Sequence, residues 1–93
     1  MFTHIEGAKI IKLSKKKHYC TVTMKDSKRC EIPICYWAIC KYNDDSKYYL
    51  FSCDENMNVH DTDICDNLDD AVNEANIYAD DNEEIEWSID HTE

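Results

Sequence analysis

Residues 67–79, Asn67-Leu68-Asp69-Asp70-Ala71-Val72-Asn73-Glu74-Ala75-Asn76-Ile77-Tyr78-Ala79, decide the fold. Leu68, Ala71, Val72, Ala75, Tyr78 and Ala79 fall at i, i+3, i+4, i+7, i+10 and i+11, a single apolar stripe of helical period. Asp66 or Asn67 supplies an N-cap. Asp69 and Asp70 fall in the first turn, where the positive end of the helix dipole favours them. The pattern predicts one amphipathic helix over about 67–79. Alanine at every fourth position gives it a flat face that can lie close on a sheet.

Outward from the helix the period changes to two. Ile85-Glu86-Trp87-Ser88-Ile89 alternates as a final strand, with Ile85, Trp87 and Ile89 inward and Glu84, Glu86, Ser88 and Asp90 outward. Trp87 is expected to fill the space between helix and sheet, with Leu50 or Phe51 and Val72 beside it. Upstream, 48–53 reads as a strand between a polar loop at 43–47 and a turn at 54–58. Residues 34–42 are nearly continuous in apolar character, as in a central strand covered on both faces. Residues 9–13, 18–24 and 30–32 read as earlier strands. Pro33 has no N–H to give a ladder and marks a break, bulge or edge. The fold class is therefore α+β: an antiparallel sheet of about five strands with the helix packed on one face.

The chain has 93 residues and a mass of 11.0 kDa. A chain of this size exposes roughly 5,600 Å² folded against roughly 16,000 Å² extended, which allows one modest core and no second domain. A single domain over 1–93 is expected. Hydrophobic residues at 43% exclude a disordered chain despite a net charge of −10. No apolar run approaches the ~20 residues that span a bilayer, and 1–13 lacks the apolar stretch of a signal peptide. The expectation is a soluble, cytoplasmic protein with no membrane contact.

Charge divides the chain. All ten Lys and Arg lie in 1–47 with five acids, a net of +5, whereas 48–93 hold fifteen acids and no Lys or Arg, a net of −15. A surface balanced for solubility intersperses both signs. A split of this kind bears on association and steering.

Catalytic and metal chemistry find little support. Cys20, Cys30, Cys35, Cys40, Cys53 and Cys65 come without a secretion signal and read as free thiols packed as small hydrophobes. No C-x-x-C occurs, and the five-residue spacing of Cys30, Cys35 and Cys40 alternates faces on a strand, so zinc is not expected. Asp54-x-Asn56-x-Asn58 opens like a calcium loop. Val59 stands where that loop needs Gly, however, and Cys65 where it needs Glu, so a plain turn is the better reading. His60, Asp61 and Cys65 offer a thiol with a base, but Asp61, Asp63, Asp66, Asp69 and Asp70 would raise the thiol pKa. With Gly7 as the sole glycine no phosphate cradle can form. Neither enzyme activity nor a cofactor is expected. Lys15-Lys16-Lys17-His18 is a basic patch, read as a solvated hairpin tip, because a net −10 chain opposes direct nucleic-acid binding.

The acids remain. Asp69, Asp70 and Glu74 point away from the apolar stripe, and Asp80, Asp81, Glu83, Glu84 and Glu86 continue the charge through the last loop and strand. If the helix packs beside that strand, these eight carboxylates form one negative surface for a partner.

Tyr48-Tyr49-Leu50-Phe51, then Cys53-Asp54-Glu55, Asp61-Thr62, Leu68, Ala71, Ala75 and Trp87 together resemble a pattern of small bacterial proteins, several encoded among toxin-immunity and prophage genes. The resemblance covers about 35–89. It implies a sheet-plus-helix scaffold and no catalytic residue. In size and acidity the chain also resembles phage anti-CRISPR and anti-restriction inhibitors. The expected function is that of a small acidic inhibitor that neutralises a basic protein, such as a nuclease or other nucleic-acid enzyme, by nucleic-acid mimicry. B-DNA carries a charge per roughly 1.7 Å of axis, a density that a carboxylate array can imitate. The alternative is a non-catalytic structural or interaction module, meeting its partner through exposed aromatics such as Tyr36, Tyr42 or Tyr48.

Overall fold

The computed structural model describes residues 8–15, 19–24, 30–42, 45–79 and 85–90. Its elements are β1 (Ala8–Ser14), β2 (Cys20–Met24), β3 (Cys30–Ile34), β4 (Tyr36–Tyr42), β5 (Tyr48–Cys53), β6 (Val59–Cys65), α1 (Leu68–Ala79) and β7 (Trp87–Asp90). Five strands form an antiparallel sheet in the order β6-β5-β4-β1-β7, and β2 with β3 forms a separate two-stranded sheet. One helix packs on the larger sheet, as the α+β reading expects.

The continuous apolar run puts β4 at the centre. On one face Trp37 and Ile39 join Leu50 of β5, Cys65 of β6 and the three alanines of α1. On the other, Ala38 and Cys40 join Phe51 and Cys53. A strand buried on both sides has no polar face to alternate with, which is why it reads as a run. Phe51 therefore lies across the sheet from the helix, and Leu50 is the residue beneath it.

Asn67 is the helix cap. Its Oδ1 accepts the Asp70 N–H at 2.8 Å, its carbonyl accepts the Ala71 N–H at 3.3 Å, and its Nδ2 donates to the Asp70 carboxylate at 3.3 Å. The Oδ1 bond satisfies the Asp70 N–H, one of the groups that a helix start leaves open. Ala71, Ala75 and Ala79 are buried and let α1 lie over β4, β5 and β6. Beyond the helix, the Ile85 N–H donates to Asn76 Oδ1 at 3.0 Å, tying the entry of β7 to the helix flank.

Two features depart from the sequence reading. β6 occupies a stretch to which the pattern assigns no element. Its residues, Val-His-Asp-Thr-Asp-Ile-Cys, are half polar because it is an edge strand. The tryptophan that fills the core is Trp37, with no exposure at all. Its Nε1–H donates to Ser52 Oγ at 2.9 Å, its backbone N–H donates to Ser14 Oγ at 2.8 Å, and the Tyr19 ring lies 4.5 Å away, centroid to centroid. Trp87 packs with Val72 against the same helix-side core, as expected, but is only half-buried there, on the four-residue edge strand β7 with Lys12 Nζ 5.5 Å from its ring. A central strand offers neighbours on both sides and an edge strand on one, so the deeper site falls to β4.

The β2–β3 pair leaves the main sheet at the Pro33-Ile34-Cys35 bend. The Tyr19 N–H donates to the Ile34 carbonyl at 2.8 Å, and Tyr19 and Cys20 pack against the helix-side core. Among the described residues β3 pairs only with β2, so exposed Pro33 opposes Thr21 without interrupting a longer ladder.

Candidate functional site

The acids converge where β6 meets the first turns of α1. Alternation on β6 points Asp61, Asp63 and Cys65 to the helix side of the sheet, and Cys65 reaches the core there. On α1, Asp69 and Asp70 are exposed and Glu74 is half-buried. Asp63, Ile64, Cys65, Asp66, Asp70 and Glu74 line an open groove of about 340 Å³.

The floor of this groove is electrostatically tense. The Tyr78 hydroxyl lies against the Asp63 and Glu74 carboxylates, and burial together with these two neighbours pushes the phenol well above its usual range. Burial also raises the Asp63 carboxyl, and Asp61 and Glu74 add to the rise while Tyr78 opposes it. Asp63 Oδ2 is buried and has no hydrogen-bond partner. That atom is closed off from solvent, so the carboxylates the groove presents are those of Asp66, Asp70 and Glu74. At its rim Lys47 pairs with Asp66. Ionised carboxylates only accept hydrogen bonds, so the groove is complementary to a donor-rich cation.

Of the sequence-derived partner residues, the structure brings Asp70 and Glu74 into the groove and leaves Asp69 exposed on the same helical turn. Glu86 lies elsewhere. It precedes β7, at the edge opposite β6, across four strand spacings or about 19 Å. There its carbonyl accepts the Lys15 N–H at 2.9 Å, and its carboxylate stands 4.0 Å from Lys15 Nζ in an exposed pair. Asp80, Asp81, Glu83 and Glu84 lie outside the described residues, as do Lys16, Lys17 and His18 of the basic patch. Asp63 and Asp66 belong to the groove although the sequence reading did not place them there. The signal was the two-residue spacing of Asp61, Asp63 and Cys65, which puts them on one face once 59–65 is seen to be a strand.

Other chemistry considered from the sequence resolves into structure. Asp54 Oδ1 accepts the N–H groups of Asn56 and Asn58 at 2.9 and 3.0 Å, and its Oδ2 meets His60 Nε2 at 2.8 Å. Burial pushes this carboxyl up. The hydrogen bonds from His60, Asn58 and Asn56 outweigh it and bring the pKa down to about 2. The carboxylate is occupied by the turn it organises, with Met57 in the left-handed region at φ 67°. Cys65 has a raised pKa because of burial first and then Glu74, Asp63, Asp70 and Asp66. Cys40 and Cys53, buried between strands, are pushed up to about 12. Cys20, Cys35, Cys40, Cys53 and Cys65 are free thiols. Among the described residues no three His, Cys, Asp or Glu side chains form a group that could hold a metal ion.

The tyrosines of the module reading are half-buried. Tyr42 meets Tyr49 edge-on at 5.0 Å, and Lys41 Nζ stands 5.1 Å over the Tyr48 ring. Among the described residues the exposed large hydrophobics are instead Ile64, at 63%, and Ile77, at 69%. Ile64 lines the acidic groove, and Ile77 stands on α1 one turn beyond Asn73 and Glu74. Among the described residues no helix is long and apolar enough to cross a membrane.

No protein-family model, curated protein sequence or solved structure matches the chain.

Proposed function

We propose that the protein is a non-catalytic acidic inhibitor that binds a basic protein stoichiometrically, with the groove between β6 and α1 at the centre of its contact surface. The favoured partner is a nucleic-acid enzyme whose cationic substrate channel would accept a carboxylate array in place of phosphates. The observation that carries this reading is the convergence of Asp63, Asp66, Asp70 and Glu74 on one groove, in a half of the chain with fifteen acids and no Lys or Arg. A dense single-sign field steers an oppositely charged partner and accelerates encounter. The free thiols support a reducing, cytoplasmic setting.

The test is affinity capture from the source cell with three baits: the wild type, an Asp69→Lys/Asp70→Lys/Glu74→Lys variant, and Lys15→Glu. A basic protein retained by the first and third baits and lost from the second supports the reading, as does inhibition of that protein's nucleic-acid binding. A partner retained by the acid-reversed bait and lost from Lys15→Glu moves the working surface to the amino-terminal half.

A further inference from the structure

We propose that the free edge of β6 receives an extended basic segment of the partner, which joins the sheet as a sixth strand. This deepens the basic-partner reading and rests on it. Among the described residues β6 pairs only with β5, so a seven-residue strand presents an edge of backbone N–H and C=O groups to a newcomer. Such an edge binds extended peptides through main-chain hydrogen bonds, and alternate side chains supply the selectivity.

The side chains around this edge specify the newcomer. On the helix side an added strand meets half-buried Asp63 and then Asp66, Asp70 and Glu74. On the opposite face it meets Ile64. The matching segment carries Lys or Arg at every second position and apolar residues between them. Exposed Ile77, past Glu74 on the helix, offers a surface for the methylene stems of those cations. A second copy of this chain fits poorly. Pairing two β6 edges would set Asp61 and Asp63 against like charges, which destabilises a cross-strand pair. The acids thus guard the edge against self-pairing and leave it open to cations.

The probe is an eight-residue peptide of alternating Lys and Val, with a block peptide of four Lys then four Val as its control. Two further forms of the alternating peptide carry backbone N-methyl groups, one on the Lys residues and one on the Val residues. Binding to the full chain is read by fluorescence anisotropy, and amide hydrogen exchange is followed over 59–65. The alternating peptide should bind about tenfold more tightly than the block peptide and slow exchange in β6. One methylated form should lose binding and the other keep it, because alternate N–H groups face the same edge of a strand. Ile64→Asp should weaken the alternating peptide about tenfold and leave the circular dichroism spectrum unchanged. Equal binding of all four peptides with unaltered β6 exchange would overturn strand addition and leave the basic-partner reading standing. Absence of binding by every cationic peptide would remove both. Protection of β6 that rises with protein concentration, without peptide, would overturn the proposal in favour of a second copy.

Discussion

Replacing Trp37 by Ala tests the placement of the core. The side chain is fully buried, meets the Tyr19 ring at a tilt, and donates its indole N–H to Ser52 Oγ, which is itself buried. Truncating a buried Trp costs about 3–5 kcal/mol. Stranding a buried hydroxyl adds about 1–3 kcal/mol. A 93-residue domain has about 5–14 kcal/mol in total, so Trp37→Ala should leave the protein marginal or unfolded at 37 °C. Trp87→Ala, on a half-buried edge side chain, should cost about 1–3 kcal/mol. Urea melts followed by far-UV circular dichroism give both values, because a shift in midpoint at constant slope reports stability. Trp37→Phe combined with Ser52→Ala should show a coupling of about 1 kcal/mol, the worth of one buried hydrogen bond. Equal costs for the two Trp→Ala variants, or no coupling in the cycle, would refute the assignment of Trp37 as the central residue.

Asn67→Ala removes the helix cap and should cost about 1 kcal/mol by the same melts. Asp54→Asn should lower stability at pH 7 by about 1–2 kcal/mol. Because its folded pKa of about 2 lies below the unfolded value of about 3.9, that contribution is full above pH ~4 and fades as the pH falls towards 2. The variant's acid limb should be correspondingly flatter in acid titrations. Asp63 is shifted the other way, so its ionisation opposes folding at neutral pH, and Asp63→Asn should raise the urea midpoint at pH 7 and lose that advantage as the pH falls. Denatured protein should react with a thiol reagent at all six cysteines without prior reduction, and native protein should react faster at half-buried Cys20 than at buried Cys35, Cys40, Cys53 and Cys65, by mass spectrometry of labelled peptides.

The helix and the central strand were legible in the sequence because each follows a strong pattern: a period-3.6 stripe at 68–79 and an apolar run at 36–42 interrupted by Lys41 alone. β6 was not. Three of its seven residues are Asp or His, which suit strands poorly, and only its pairing to Tyr48–Cys53 makes it a strand. That gap hid part of the site. Asp70 and Glu74 could be placed on the outer face of the helix from spacing alone, whereas Asp63 and Asp66 join them only through the β5–β6 register. Glu86 shows the converse. Its charge matched the helix acids, but sheet order put it at the far edge, and no local pattern encodes sheet order. Trp37 and Trp87 both sit in inward phase, so alternation could not rank them; the number of neighbouring strands did.

The most direct test of the acidic surface is the association rate of the captured partner with the wild type and with the Asp69→Lys/Asp70→Lys/Glu74→Lys variant, measured at two salt concentrations. Between ~50 and ~500 mM salt the Debye length falls from roughly 14 to roughly 4 Å. The expected result is a wild-type rate that drops steeply across this range and a reversed variant that associates slowly at both. A salt-indifferent rate shared by the two proteins, with binding lost instead in Lys15→Glu, would contradict it.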